Sequence, residues 1–267
     1  MLPLQGGNLM SILDVFFLKG KVAIITGGCH DLGKIIATGL ADAGANVVIC
    51  SRKMEKCEET AHILEKLGVQ ALGMKCDITN EKDIDLVVNK TLEKFKKIDI
   101  LINNSGRTWA AAPEDMKVED WQKVIDVNVT GTFLFSQRVG KEMIKQTKGK
   151  IINISSYAGL AGLDPEYFNA IPYNTSKGAI IVFTKDLATK WAKFNINVNC
   201  IAPGWFRTKM SKWVLDNYGE KVISRQLIKR FGEEDDIKSA VIFFSSKASD
   251  YITGQVLSVD GGITCWI

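Results

Sequence analysis

Short runs of apolar residues recur along the chain and alternate with longer stretches whose apolar positions repeat with a helical period. The runs are rich in Val and Ile and show little internal alternation, which is typical of strands buried on both faces of a parallel sheet. They predict seven strands, at residues 21–26, 46–50, 71–75, 99–102, 150–155, 197–201 and 255–259. The stretches between them predict helices at residues 32–43, 53–67, 81–95, 118–145, 174–194 and 234–245.

This order of elements predicts an α/β fold, a doubly wound Rossmann-type three-layer sandwich with a seven-stranded parallel sheet. No linker rich in Pro, Gly or Ser breaks the alternation, so we expect a single domain over residues 19–267. Residues 1–18 are expected to form an N-terminal arm that packs Phe16, Phe17 and Leu18 onto the domain. The first nine residues show no structural pattern, which makes Met10 an alternative start.

Composition narrows the chemistry. The chain of 267 residues has only two histidines, which excludes a three-histidine metal site and leaves Tyr, Lys, Asp, Glu or Cys as general acids and bases. A net charge of +4 is too small to indicate nucleic-acid binding. The six cysteines form no C-x-x-C pair, which favours a reducing cytoplasm. The apolar stretch at residues 9–18 is too short to span a membrane and no basic residue precedes it.

Ligands of such sheets bind beyond the carboxyl ends of the strands, so residues that follow strands are the informative ones. A glycine-rich turn follows the first strand and opens a helix, which suits a pyrophosphate held at a helix N-terminus. Its candidate contacts are Gly27, His30, Asp31, Leu32 and Gly33.

The second strand is followed by Ser51 and Arg52, where an NAD site usually carries an acid. A guanidinium in place of a carboxylate favours a 2′-phosphate, and so NADP(H), although NAD(H) stays open. The alternative is that Arg52 merely begins a solvated helix. His30 is expected to face the same 2′-phosphate.

The third and fourth strands also end in candidate cofactor contacts. Asp77 and Ile78 follow the third strand, where Asp77 is placed to meet an adenine edge. Asn104, Ser105 and Gly106 follow the fourth strand and form a polar turn near the cofactor ribose.

Tyr173 and Lys177 lie four residues apart on one face of the helix after the fifth strand. A nearby ammonium stabilises a phenolate, so we expect Lys177 to lower the pKa of Tyr173. The fifth strand ends at Ser155 and Ser156, whose hydroxyls could hold a substrate carbonyl.

Together, in this order after the glycine-rich turn, these motifs resemble those of the short-chain dehydrogenase/reductase family over residues 19–263. The resemblance implies an NAD(P)-dependent oxidoreductase with the catalytic residues Asn128, Ser156, Tyr173 and Lys177. It implies that Asn128 holds a water linking Lys177 to solvent.

The resemblance also extends to the segment after the sixth strand and to assembly. Pro203, Gly204 and Thr208 are implied to contact the cofactor, and a lid to cover the substrate at about residues 204–230. Helices 118–145 and 174–194 are implied to build a homotetramer.

The chain departs from the family pattern in two places. Asp31 replaces the second glycine of the turn, where a carboxylate opposes a pyrophosphate unless it faces away, and it could instead cap the following helix. Ser156 and Tyr173 are 17 residues apart, more than is usual, and the extra residues at 160–171 either border the substrate or bulge outward.

Substrate contacts are expected from the lid and from the turn after the fourth strand. The candidates are Arg107, Trp109, Trp205, Phe206, Met210 and Trp213, with packing of the lid or a solvated rim as the alternative. The sequence around Tyr173 resembles the gluconate 5-dehydrogenase-like branch, which implies a keto sugar acid such as 5-ketogluconate. The 3-oxoacyl-(acyl-carrier-protein) reductase branch is the alternative, and a catalytically silent NADP-binding regulatory protein is an alternative of another class.

Overall fold

A computed structural model describes residues 11–265. Seven parallel strands form one sheet in the order β3-β2-β1-β4-β5-β6-β7. The strands are β1 (Val22–Thr26), β2 (Asn46–Ser51), β3 (Ala71–Lys75), β4 (Ile100–Asn103), β5 (Gly149–Ile154), β6 (Ile196–Pro203) and β7 (Val256–Val259). The predicted fold class and strand number are confirmed.

Helices cover both faces of this sheet. They are α1 (Asp31–Asp42), α2 (Met54–Glu65), α3 (Glu81–Phe95), α4 (Val118–Ile125), α5 (Gly131–Gln146), α6 (Ile171–Trp191), α7 (Lys212–Ser224) and α8 (Glu234–Ser245). The predicted helix at 118–145 is interrupted by a π turn, Asp126–Thr130, that joins α4 to α5. Sequence periodicity did not predict α7, which lies within segment 204–230.

The buried side chains of the central strands pack into two separate hydrophobic cores, one on each face of the sheet. Successive residues of a strand point to opposite faces, so Ile24 packs with Phe135 on one side of the sheet while Ile25 packs with Leu40 on the other. All four are fully buried. Both faces are covered, which is why the strands read as continuous apolar runs rather than alternating ones.

The described part of the N-terminal arm is a single 3-10 turn, Ile12–Phe16, closed by a capping box between Ser11 and Asp14. Leu18 is buried, and its N–H donates to the Ala43 carbonyl at 2.7 Å. Phe16 is partly buried, as predicted, but Phe17 is 62% exposed, because it lies past the end of the turn in an extended backbone conformation. Met10 lies outside the described residues, so the alternative start stays a prediction.

The strand order places a crevice next to β1. The chain passes from β1 to β2 and β3 on one side, then crosses to β4 and β5 on the other. Crossover connections on the two sides leave a gap at the carboxyl ends of β1 and β4, where doubly wound sheets bind ligands.

Between residues 11 and 265 no helix has the length and apolarity that crossing a membrane requires. In the same part of the chain, no three His, Cys, Asp or Glu side chains gather as a metal site would need.

Candidate active site

A cavity of about 750 Å³ lies at the carboxyl ends of the central strands. Every residue predicted to contact the cofactor lines it, from Gly27 in the glycine-rich turn to Thr208 beyond β6. Ser156, Tyr173 and Lys177 line it as well. The topology therefore brings together groups that lie up to about 180 residues apart in sequence.

Two glycines of the glycine-rich turn are needed because neighbouring backbone and side-chain atoms lie too close for a Cβ. Gly27 has φ +67°, a left-handed conformation, and a Cβ there would lie 3.1 Å from the Asn104 amide nitrogen. At Gly33, a Cβ would lie 2.1 Å from the Gly27 carbonyl oxygen, so only glycine lets α1 begin this close to the turn. The backbone N–H groups of Asn104 and Ser105 both donate to the Thr26 hydroxyl at 3.0 Å, which fixes the turn after β4 beside the turn after β1.

Asp31 does not cap α1, contrary to one expectation. His30 is the N-cap residue, and Asp31 is the first residue of the helix, with φ +45°. Its carboxylate accepts a hydrogen bond from the backbone N–H of Lys209 at 3.0 Å. The side chain that replaces a glycine thus ties the turn to segment 204–230.

The far end of the cavity combines a polar turn with a positive charge. The Ser51 hydroxyl lies between the thiols of Cys29, at 2.9 Å, and Cys57, at 3.2 Å. Arg52 is exposed and makes no ion pair with any described residue. Burial raises the pKa of Asp77, but hydrogen bonds from Thr79 and the charge of Arg52 outweigh it, so the carboxyl titrates below its ordinary range.

Lys177 is deeply buried and Tyr173 is partly buried where α6 begins. The Lys177 ammonium donates to the Ile154 carbonyl at 2.9 Å and lies 5.5 Å from the centre of the Tyr173 ring. Burial lowers the pKa of Lys177 to about 8. Burial also raises the pKa of Tyr173, although the Ser156 hydroxyl works against the rise.

This corrects the expectation that Lys177 lowers the pKa of Tyr173. In the structure the ammonium is directed to a backbone carbonyl rather than to the phenol oxygen, and the loss of solvation dominates. Tyr173 is therefore a neutral phenol at neutral pH, the form that can donate a proton.

The two serines at the end of β5 have different surroundings. The Ser155 hydroxyl donates to the Lys177 carbonyl at 2.7 Å and so holds α6 against the strand. The Ser156 hydroxyl accepts the Ala158 N–H at 3.2 Å and acts on Tyr173. Ser156 is thus the serine whose hydroxyl faces Tyr173, and its contact with a substrate stays a prediction.

Asn128 lies in the π turn and does not line the cavity. Its amide nitrogen donates to the Arg107 carbonyl at 2.9 Å and to the Ser176 hydroxyl at 2.8 Å, and its oxygen accepts the Arg107 N–H at 2.8 Å. Both amide hydrogens are used. The side chain braces the turn after β4 against α6. That Asn128 also holds a water linking Lys177 to solvent stays a prediction.

The predicted substrate contacts divide into two groups. Arg107, Trp205, Phe206 and Met210 line the cavity. Trp109 and Trp213 do not line it and are 40% and 62% exposed, and the Trp213 ring packs on Tyr218 instead.

The longer loop at 160–171 borders the cavity. Phe168 lies edge-on to Tyr173, with 5.7 Å between ring centres, and edge-on to Trp205 at 6.0 Å. Sequence reasoning missed Phe168 and Tyr157 as cavity residues. The position of Tyr157 directly after Ser156 was the only available signal, because packing between distant loops leaves no local pattern.

Comparison with known proteins agrees with this geometry. A family model described as enoyl-(acyl carrier protein) reductase matches residues 28–264. The chain is 36% identical to a 2-dehydro-3-deoxy-D-gluconate 5-dehydrogenase of Formosa agariphila, over 96% of this chain and 97% of that one. It is also 36% identical to a 3-oxoacyl-(acyl-carrier-protein) reductase of Aquifex aeolicus, over 92% of this chain and 98% of the other.

Solved structures show the same relationship. A gluconate 5-dehydrogenase of Burkholderia cenocepacia, crystallised with NADP and tartrate, superposes with a TM-score of 0.91 at 34% identity. The match covers 96% of this chain and all of the other. The chain therefore belongs to the short-chain dehydrogenase/reductase family, as its motifs predict, and is an oxidoreductase that uses a nicotinamide cofactor to interconvert CH–OH and carbonyl groups.

Proposed function

We propose that this protein is an NADP-dependent reductase of a keto sugar acid such as 5-ketogluconate, or the dehydrogenase of the matching secondary alcohol. The observation that carries the proposal is one continuous cavity with an arginine at one end, Arg52, that forms no ion pair within residues 11–265. At its other end lie Ser156, Tyr173 and Lys177.

The residues present fit NADP(H). Arg52 offers a guanidinium and Ser51 a hydroxyl where a 2′-phosphate would bind, and neither position carries a carboxylate. Gly27 and the amino end of α1 suit a pyrophosphate, and Lys177, which lines the cavity, would hold ribose hydroxyls. Pro203, Gly204 and Thr208 line the cavity and would contact the nicotinamide end of the cofactor.

The chain's own residues supply binding and the proton. When bound, NADPH supplies the hydride that the carbonyl carbon receives. The hydroxyls of Ser156 and Tyr173 donate hydrogen bonds to the carbonyl oxygen, where negative charge develops. Tyr173, neutral because it is buried, then gives its proton to that oxygen. Asn128 acts as a positioning residue through Arg107 and Ser176.

Two observations favour a sugar acid as substrate. Arg107 lines the cavity, and Asn128 binds both its N–H and its carbonyl, so its backbone is fixed where a guanidinium could meet a substrate carboxylate. In addition, a 5-keto-D-gluconate 5-reductase of Escherichia coli is 35% identical over 94% of this chain.

The second candidate activity is reduction of a 3-oxoacyl thioester. The similarity to the Aquifex aeolicus reductase, as high as that to the gluconate enzymes, supports it. Phe168, Phe206 and Met210 give part of the cavity an apolar wall that an acyl chain could contact.

The two candidate activities can be distinguished by monitoring the oxidation of NADPH through its absorbance with each substrate. We expect 5-ketogluconate to be reduced with a kcat/KM at least about tenfold above that of an acetoacetyl thioester, since Arg107 favours an acid. The reverse order would assign the thioester activity. A protein that binds NADPH and reduces neither compound would contradict the proposal.

We also propose a cytoplasmic homotetramer. Apolar side chains stand exposed on the helices that the family resemblance assigns to subunit contacts, with Val118 74%, Phe133 46% and Val182 66% exposed. Light scattering during gel filtration would give a mass near four times 29.5 kDa.

A further inference from the structure

Two acidic side chains of loop 160–171 pair with two basic side chains of α7. The Asp164 carboxylate lies 3.2 Å from the Lys221 ammonium and 3.0 Å from the Arg225 guanidinium at the end of the helix. The Glu166 carboxylate pairs with the same ammonium of Lys221. This ion-pair network of four residues joins the longer loop before α6 to a helix that follows β6 in the chain.

The ion-pair network also contacts the buried ring of Tyr167. The Lys221 ammonium lies 5.5 Å from the ring centre, and the guanidinium carbon of Arg225 lies 5.8 Å from it. A guanidinium nitrogen of Arg225 donates to the Tyr167 hydroxyl at 3.2 Å. Cations within about 6 Å of an aromatic ring are attracted to it, so α7 binds the loop through a ring as well as through carboxylates.

Asp164 shapes the loop as well as pairing with α7. Its Oδ1 accepts the Glu166 N–H at 3.0 Å, and its backbone carbonyl accepts the Phe168 N–H at 3.1 Å. Its Oδ2 is the atom that meets Lys221 and Arg225. The Glu166 N–H and the Lys221 ammonium hold the pKa of Asp164 below its ordinary range. One carboxylate therefore closes the turn with one oxygen and joins the turn to α7 with the other.

The turn that Asp164 closes carries a ring to the proton donor. Phe168 lies edge-on to Tyr173 and to Trp205, and all three residues line the cavity. The ring centres of Tyr167 and Trp205 are 6.3 Å apart. The position of the loop therefore determines where the aromatic wall beside Tyr173 lies.

The helix α7 packs outside the two main cores of the domain. Its buried residues Val214, Leu215 and Val222 belong to a smaller cluster that also contains Tyr167 and Trp205. A small cluster buries less apolar surface and stabilises its elements less, so polar contacts matter more for the position of α7. A single exposed ion pair contributes little, but several charges that share partners act as a network.

We propose that Asp164 is a positioning residue, which together with Lys221 and Arg225 holds loop 160–171 on α7 and so keeps Phe168 against Tyr173. This role rests on Tyr173 being the proton donor, as proposed above, and applies to either candidate substrate. A small displacement of a reacting group, about 1 Å, can cost about 10²-fold in rate. A loosened loop should therefore lower kcat and spare cofactor affinity.

The variants Asp164→Asn and Lys221→Gln each remove one charge of the network, and asparagine keeps an oxygen for the Glu166 N–H. The assay uses 5-ketogluconate or an acetoacetyl thioester, whichever the parent protein reduces faster. We expect each variant to lower kcat about tenfold and to keep the Kd of NADPH within about twofold. The double variant should lose less than the two single losses combined, because both changes break the same contact.

The matched control is Lys212→Gln, on the same helix. The Lys212 ammonium pairs with Asp216 within α7 and does not reach the loop. This variant loses an equal charge and should keep the kcat of the parent protein. Circular dichroism reports whether each variant is folded.

Hydrogen exchange of peptides that cover residues 160–171 reports on the loop without turnover. The Phe168 amide, which binds the Asp164 carbonyl, should exchange at least about fivefold faster in Asp164→Asn and in Lys221→Gln than in Lys212→Gln. Exchange in the α1 peptide, on another part of the fold, should be the same in all variants.

The outcomes separate this role from the proposed function. Faster exchange with an unchanged kcat would overturn the positioning role while the reductase activity stands. Unchanged exchange would show that apolar packing alone holds the loop, and would overturn the role whatever happens to kcat. A parent protein that binds NADPH and reduces neither substrate would overturn the proposed function and the catalytic role with it, whereas hydrogen exchange would still decide whether the network holds the loop.

Discussion

The carboxylate of Asp31 accepts a hydrogen bond from the backbone N–H of Lys209, 178 residues further along the chain, at 3.0 Å. One side chain therefore joins the glycine-rich turn to the segment after β6, which lines the cavity. Asp31 does so from φ +45°, a conformation that asparagine and aspartate tolerate better than other residues with a Cβ.

Asp31→Asn should tighten NADPH binding. Asparagine keeps an acceptor oxygen for the Lys209 N–H and tolerates the same φ, while it removes a negative charge beside the pyrophosphate position. We expect a gain of about 1 kcal/mol, roughly fivefold in Kd, at low salt, fading at high salt. Fluorescence titration with NADPH at two ionic strengths measures it.

The control for Asp31→Asn lies at the other end of the same helix, where Asp42→Asn removes an equal charge away from the cavity. Asp31→Ala loses the hydrogen bond and keeps the unfavourable φ, and should cost about 1–2 kcal/mol of stability. If Asp31→Asn weakens NADPH binding at every salt concentration, the carboxylate helps the cofactor rather than opposing it.

Tyr173→Phe should remove turnover and spare cofactor binding. The change deletes the proton that the substrate oxygen receives and keeps the ring that packs on Phe168. Proton transfer of this kind is worth about 10²–10⁴ in rate, so kcat should fall by at least that range. Tyr251→Phe, at a fully exposed position, is the control. Turnover within tenfold of the parent protein would exclude Tyr173 as the proton donor.

Arg52→Gln should change cofactor choice. Loss of a charge-assisted hydrogen bond to a 2′-phosphate weakens NADPH binding by roughly 10- to 100-fold and leaves NADH binding nearly unchanged. Calorimetric titration with both cofactors measures the ratio.

Lys56→Gln removes a neighbouring positive charge that pairs with Glu59 and does not line the cavity. It should leave the preference for NADPH intact. An equal loss of NADPH and NADH affinity in Arg52→Gln would show that Arg52 maintains the turn after β2 and does not bind the 2′-phosphate.

Carbonyl reduction should decline as pH rises through about 8, the pKa to which burial lowers Lys177. Below that value the ammonium is charged and stabilises the phenolate that forms when Tyr173 gives up its proton. Above that pH Lys177 is neutral, so the rate of carbonyl reduction falls and the rate of alcohol oxidation rises. The profile of kcat/KM against pH measures this, because it reports the pKa values of ionising groups in the free enzyme. A flat profile from pH 7 to about 9.5 would be incompatible with this assignment.

Gly33→Ala should destabilise the fold. Its Cβ would lie 2.1 Å from the Gly27 carbonyl oxygen, and that backbone atom cannot move without shifting the turn. Overpacking of this kind costs about 1–3 kcal/mol, occasionally more. Urea denaturation gives the loss. At Gly162 a Cβ meets nothing within 4 Å, so Gly162→Ala should change stability little. Equal stability of the two variants would show that α1 can move away from β1.

Sequence periodicity and motif spacing were enough to predict the strands of the sheet and many of the residues that line the cavity. Buried parallel strands must be apolar on both faces, so Ile24 and Ile25 marked β1 directly. Glycines forced by close approach, such as Gly33, and the helical spacing of Tyr173 and Lys177 are likewise local properties. The family resemblance supplied Ser156.

Tertiary structure decided what depends on neighbours distant in sequence. The hydrogen bond from Lys209 to Asp31, the bracing of Arg107 by Asn128 and the packing of Trp205 on Tyr157 arise where separate loops meet. Tertiary structure also decided the direction of the pKa shift of Tyr173, because the whole fold determines how far the phenol is buried. The four-residue spacing of Tyr173 and Lys177 predicted only the attraction between a phenolate and an ammonium.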